Sequence, residues 1–152
     1  MEKDPAREYL NSVLECRLEA RRIRRKLDAL ESRATSITSQ LSGMPRGGNS
    51  DRNAVLAALA DATDEYYKRL AAAERRELEV AEFIDSIDNR NYRIILRLRY
   101  LDRKPWSKVL TTLNASGYAM NERWMFKLHG KALDAAREKY KEMTASDETG
   151  DP

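Results

Sequence analysis

The stretch that decides the fold is residues 90–141, RNYRIILRLRYLDRKPWSKVLTTLNASGYAMNERWMFKLHGKALDAAREKYK. It divides into three helical pieces. Asp88-Asn89 offers a turn and a cap, after which Tyr92, Ile95, Leu96, Leu98 and Tyr100-Leu101 form an amphipathic helix with Arg93, Arg97 and Arg99 on its polar positions. Asp102-Arg103-Lys104 breaks the pattern, and Pro105 suits the first turn of a new helix, where its missing N–H leaves no bond unmade. Trp106, Val109, Leu110 and Leu113 give that helix its buried face. Asn114 to Tyr118, with Gly117, form a turn, and Asn121 caps a last helix whose inner face is Met125, Leu128, Ala132 and Ala136. A short helix, a turn and a basic helix form the layout of a helix-turn-helix, in which the last helix enters the major groove.

Charge reinforces this reading. Residues 90–141 hold thirteen Lys and Arg against four Asp and Glu, a net of +9. The whole chain carries +3, so the other hundred residues sum to −6. A basic domain on an acidic scaffold is the electrostatic footprint of a nucleic-acid binder. On the last helix Glu122, Arg123, Trp124, Phe126, Lys127 and Lys131 fall off the core face. Arg123 and Lys127, four apart near the helix N-terminus, are placed to donate to guanine O6 and N7. Lys131 and Arg97 are candidate phosphate contacts, and Lys108 on the preceding helix completes the set of expected DNA-binding residues. Trp124 and Phe126 are either core or dimer contacts, or base contacts; spacing leaves both open.

Upstream, residues 4–88 read as an antiparallel helical hairpin. Val13, Cys16, Ala20, Ile23, Leu27, Leu30, Ala34, Ile37 and Leu41 recur in steps of three and four, extended backwards by Tyr9 and Ala6. Such spacing gives a long helix with a coiled-coil seam, in which Val13, Ile23, Leu27, Leu30 and Ile37 are the expected hairpin or oligomer contacts. The loop at 42–50 ends it with three Gly and one Pro in nine residues, and Ser50 or Asp51 can cap the second helix. That helix carries Val55, Leu59, Ala62, Tyr66, Leu70, Ala73, Val80, Ile84 and Ile87, with one slip in spacing between Tyr66 and Leu70. Two long helices joined by a short loop fold back antiparallel. The thin stripe suggests self-association, as a homodimer or a higher homo-oligomer. The basic run Arg17 to Lys26 reads first as a solvated helix face, and Arg46 as part of a flexible turn. Residues 142–152 read as a disordered acidic tail. The expected fold class is therefore all-α: a long antiparallel coiled-coil hairpin, then a helix-turn-helix domain.

Several classes find no support. No apolar run approaches the roughly 18 residues that span a bilayer, and the start, MEKDPAREY, lacks an apolar leader segment. The lone Cys16 excludes an intramolecular disulfide and reads as packing. With one histidine there is no two-His metal site, and His129 reads as a structural or phosphate-contacting residue. The Gly-rich loop lacks the GK[ST] ending of a P-loop and follows a helix. Gly130 inside a helix costs about 1 kcal/mol relative to Ala. The expectation is a non-enzymatic protein without cofactor or metal, in the cytoplasm of a bacterial host cell.

The segments LRLRYLDRKPW (96–106), SKVLTTL (107–113) and KLHGKAL (127–133) resemble the sigma-region-4-type helix-turn-helix of phage-encoded, ArpU-like transcriptional regulators. There a Tyr-Leu ends one helix, a Trp begins the next, and a Leu-His-Gly-x-Ala-Leu segment lies in the recognition helix. The SGMPRGG loop (42–48), with TSIT (35–38) before it, resembles small phage proteins of unassigned function that share this C-terminal domain. The resemblance implies a phage or prophage DNA-binding regulator, with double-stranded DNA as partner and host RNA polymerase as a candidate second partner. By position it matches Glu122, Arg123, Trp124 and Lys127 to the base-facing sites. The turn from Asn114 to Met120 is several residues longer than usual in such folds, Pro105 stands where Ser or Thr normally caps, and Leu110 replaces a small residue. Two other readings combine the same parts: a small terminase subunit that recognises DNA for packaging, and a coiled-coil adaptor whose basic end binds acidic protein.

Overall fold

The computed structural model describes residues 3–40 and 49–149, and all regular structure among them is helical. Helix α1 spans Pro5–Gln40 and α2 spans Asn49–Asp85. Then come α3 (Arg90–Leu96), a π-helical turn (Arg97–Leu101), α4 (Trp106–Ala115) and α5 (Glu122–Thr149). At 1.5 Å per residue α1 and α2 are each about 54 Å long. The all-α expectation holds. Leu41, Arg46 and the SGMPRGG loop lie outside the described residues, and α2 starts at Asn49, ahead of the expected caps.

The chain divides into two compact units: residues 15–75, and residues 1–14 with 76–152. This corrects the expected boundary at 88. The reason lies in the side chains: Leu10, Val13, Val80, Phe83, Ile84 and Ile87 belong to the same buried cluster as Ile95, Leu96, Val109, Leu113, Met125 and Ala132. The first turns of α1 and the last turns of α2 therefore complete the core of the C-terminal helices. Val13, expected as a hairpin seam residue, is fully buried in that core.

In the 15–75 unit Leu27 and Leu30 cluster with Ala62, flanked by Ala58, Leu59 and Tyr66, and the Arg24 guanidinium lies over the Tyr66 ring. Ala20, Ile23 and Val55 are also buried, while Ile37 and Cys16 are half-buried. The basic run is a solvated face, as read: Arg22 pairs with Glu19 and Arg24 with Asp28, each at 3.1 Å.

In the other unit α3 packs on α5 and α4 packs on the π-turn. Asn89 caps α3, its side chain accepting from the backbone N–H of Asn91 and Tyr92. Pro105 sits one position earlier than expected, immediately before α4, and its carbonyl accepts from Lys108 and Val109. Asn121 caps α5 by accepting from the Trp124 N–H at 2.9 Å. The expected inner faces hold, with Val109, Leu113, Met125, Ala132 and Ala136 buried and Trp106, Leu110 and Leu128 half-buried.

Two features were not expected. The first amphipathic helix of this region widens into the π-turn at Arg97. Leu98, Tyr100 and Leu101 within that turn are all buried. The acidic tail is also corrected: α5 continues through Thr149, and Tyr140 and Met143 pack on the core. Tyr9, Phe83 and Tyr140 form an aromatic group there, with ring centroids 5.2–6.5 Å apart. Glu138–Lys141 and Lys139–Glu142 pairs carry the exposed side of this extension.

Candidate nucleic-acid interface

The candidate surface is the exposed side of α4 and the first turns of α5. What fixes these two helices is a polar-aromatic cluster beneath them. Tyr100 Oη lies 2.9 Å from His129 Nε2, and Trp106 meets the His129 ring edge-on at 4.7 Å. Phe126 meets Trp106 at 5.1 Å, and the Arg99 guanidinium covers Trp106 at 4.5 Å while donating to the Lys104 carbonyl. The π-turn, the start of α4 and the second turn of α5 are thereby tied together. Burial, aided by the charges of Arg7, Arg99 and Arg137, holds the imidazole pKa down at about 4, so His129 is neutral at pH 7. Burial likewise raises the Tyr100 hydroxyl above its ordinary value. His129 is a structural residue, 8% exposed, and its hydrogen-bonding atom faces a tyrosine rather than solvent.

The long turn between α4 and α5 is closed from within. Asn114 Oδ1 accepts from the Met120 N–H, and Tyr118 donates its hydroxyl to Asn91 Oδ1 on α3 at 2.8 Å. Gly117 (φ 95°) and Ala119 (φ 43°) both take left-handed backbone to make the corner. The extra residues thus form a built corner, and the N-terminus of α5 is set by Asn91, Asn114 and Asn121. Asn114, at the head of the turn, carries a turn signal in the sequence, whereas Asn91 sits inside α3 and periodicity does not single it out.

The structure sorts the thirteen basic residues of 90–141 into two groups. Eight are engaged within the chain. Arg93 donates to the carbonyls of Ile87 and Asp88, Arg97 pairs with Asp85, and Arg99 holds Lys104 and Trp106. Arg103 donates to Asn11 and Lys104 to Thr112, while Arg137 bridges Asp4 and Asp134. Burial opposes charge on Asp4, but hydrogen bonds from Arg137 and the Arg7 N–H hold its carboxyl below the usual range. Lys139 pairs with Glu142 and Lys141 with Glu138 along α5. The other five, Arg90, Lys108, Arg123, Lys127 and Lys131, are exposed and make no ion pair or hydrogen bond through their side chains among the described residues. Lys127 Nζ only rests 5.1 Å from the Trp124 ring.

Four of these five are expected DNA-binding residues. The fifth expected contact of basic type, Arg97, is committed to Asp85. Glu122 is exposed at the start of α5. Trp124 is 58% exposed and Phe126 42%, so neither is a core residue; Phe126 leans on Trp106, and Trp124 projects beside Lys127. Beside Trp124 lies a cleft of about 330 Å3, lined by Tyr118, Met120, Leu128, Lys127 and Lys131. No group of three or more His, Cys, Asp or Glu is placed to hold a metal ion among the described residues. No described helix is long and apolar enough to cross a membrane.

The fold and this surface define an all-α protein with an unneutralised basic face on its last two helices. The chain belongs to the family described as "protein of unknown function (DUF1492)", whose model matches residues 35–126. The match takes in α2, α3, α4 and the first turn of α5, including Arg123 and Trp124, and stops one residue before Lys127. No curated protein and no solved structure matches the chain.

Proposed function

We propose that the chain is a DNA-binding regulator of phage or prophage type, with α4, the 116–121 corner and α5 acting as a helix-turn-helix. One observation carries the reading. Within residues 90–141 the cations that make no ion pair or side-chain hydrogen bond among the described residues are Lys108 on α4, Arg123, Lys127 and Lys131 on α5, and Arg90 at the start of α3. Unpaired cations on adjacent helices repel each other, and a polyphosphate partner relieves this by releasing its condensed counterions. Arg123 and Lys127 serve the base edges, while Lys108 and Lys131 serve phosphates. The 15–75 helical pair serves self-association, which matches paired half-sites on an operator. Resemblance to ArpU-like regulators supports the regulatory assignment.

The test is a pull-down of fragments from the native phage genome by the full-length protein, followed by fluorescence titration at several salt concentrations. Enrichment of promoter-proximal fragments with a steep salt dependence is the expected result. Enrichment of a packaging site would replace the regulator with a terminase small subunit, and no enrichment at low salt would favour an adaptor that binds acidic protein.

A further inference from the structure

Gly130 lies in the interior of α5, is exposed, and has ordinary helical backbone. A Cβ built on it meets no heavy atom within 4 Å. Glycine weakens a helix interior because its backbone loses more freedom on folding than that of alanine. Here that loss is not repaid within the chain, since no turn, left-handed backbone or close-packed neighbour uses the missing side chain. A glycine of this kind suits a place where something outside the chain comes closer than a Cβ permits.

The surroundings indicate its chemistry. At about 100° per residue, Gly130 falls on the side of α5 away from the buried Met125, Ala132 and Ala136. Lys127 lies one turn before it, Lys131 is adjacent, and Arg123 lies two turns before it, all exposed and without ion pairs among the described residues. A gap in the side-chain layer with the unpaired Lys127 and Lys131 at its rim, and with the carboxylate one turn further on, Asp134, held by Arg137, is complementary to an anionic chain. We propose that Gly130 is the point where the phosphodiester backbone of duplex DNA approaches α5 most closely, with Lys127 and Lys131 on either side of one phosphate. The inference rests on the DNA-binding reading and deepens it: the contact face extends past the helix N-terminus to Lys131, so the duplex lies along the helix.

Full-length wild type, Gly130→Ala and Gly130→Leu are titrated with a labelled random-sequence DNA duplex, and each is melted in parallel. Gly130→Ala should melt higher than wild type, because alanine is the better helix former, yet bind about tenfold more weakly, the scale of one lost charge-assisted hydrogen bond. Gly130→Leu should bind more weakly still while remaining folded. A structural role inside the chain would lower the melting temperature, which separates the two explanations. Unchanged DNA affinity in Gly130→Ala overturns the inference while leaving DNA binding intact. Failure of wild type itself to bind duplex at low salt removes the reading on which it rests. If Gly130→Leu instead dissociates an oligomer on sedimentation with DNA affinity unchanged, the close neighbour is a second copy of this chain and the inference is overturned.

Discussion

Tyr100 and His129, 29 residues apart in sequence, share a buried hydrogen bond of 2.9 Å that joins the π-turn to the second turn of α5. The imidazole is neutral because burial, with three arginines nearby, brings its pKa to about 4. At pH above about 6.5 both folded and unfolded states carry a neutral ring, and the linkage is silent. As pH falls, the unfolded chain takes up a proton that the folded chain refuses until about pH 4. Stability therefore falls from pH 6.5 to 4, by at most about 3 kcal/mol. Urea unfolding across this range measures it. His129→Gln should remove that slope, and an unchanged slope would place the loss on other groups. Tyr100→Phe should cost about 1–3 kcal/mol at pH 7 by leaving the ring nitrogen unpaired.

The corner before α5 gives a pair of opposed predictions. Ala119 holds φ 43° and is exposed, so Ala119→Gly should stabilise the protein by about 0.5–1 kcal/mol. Gly117 holds φ 95° with open space around it, so Gly117→Ala should destabilise by about 1–2 kcal/mol through backbone strain alone. Thermal melts of the two variants shifting in the same direction would contradict this assignment of the turn.

Leu27 is 4% exposed and clusters with Leu30 and Ala62. Leu27→Asp should bury an unpaired carboxylate and cost several kcal/mol, seen as an early melting transition by circular dichroism. Leu78, 61% exposed, provides the control: Leu78→Asp should melt within a degree or two of wild type, since exposed changes stay within about 0.5 kcal/mol. Equal behaviour of both variants would refute the packing.

The sorting of the arginines and lysines predicts different phenotypes for residues of the same type. Lys131→Ala should leave stability unchanged and flatten the log affinity against log salt slope on duplex DNA by about 0.9. Arg97→Ala removes the ion pair with Asp85 and should alter that slope less. Arg123→Ala or Lys127→Ala should cost roughly 1–3 kcal/mol on a specific site and little elsewhere. Four variants that weaken random and specific DNA alike would dismiss Arg123 and Lys127 as base readers.

Period and punctuation in the sequence determined the helices. The 3.6-residue recurrence of Ile23, Leu27 and Leu30, of Val109 and Leu113, and of Met125, Ala132 and Ala136 marks faces that must leave water. Asn89, Pro105 and Asn121 mark starts because the first N–H groups of a helix need acceptors or must be absent. Such information is local, and it was legible. Tertiary structure alone decided where the core ends, since Leu10 and Phe83 meet α3–α5 only through contacts distant in sequence. It also decided that His129 faces Tyr100, that the chain widens at Arg97, and that α5 runs on to Thr149 because Tyr140 and Met143 find a place against Tyr9 and Phe83. Above all it separated the basic residues. Sequence counts Arg97 and Lys131 as equal charges, but a charge is available to a partner only when the folded chain leaves it without one, and that depends on whether a carboxylate such as Asp85 comes within reach in space.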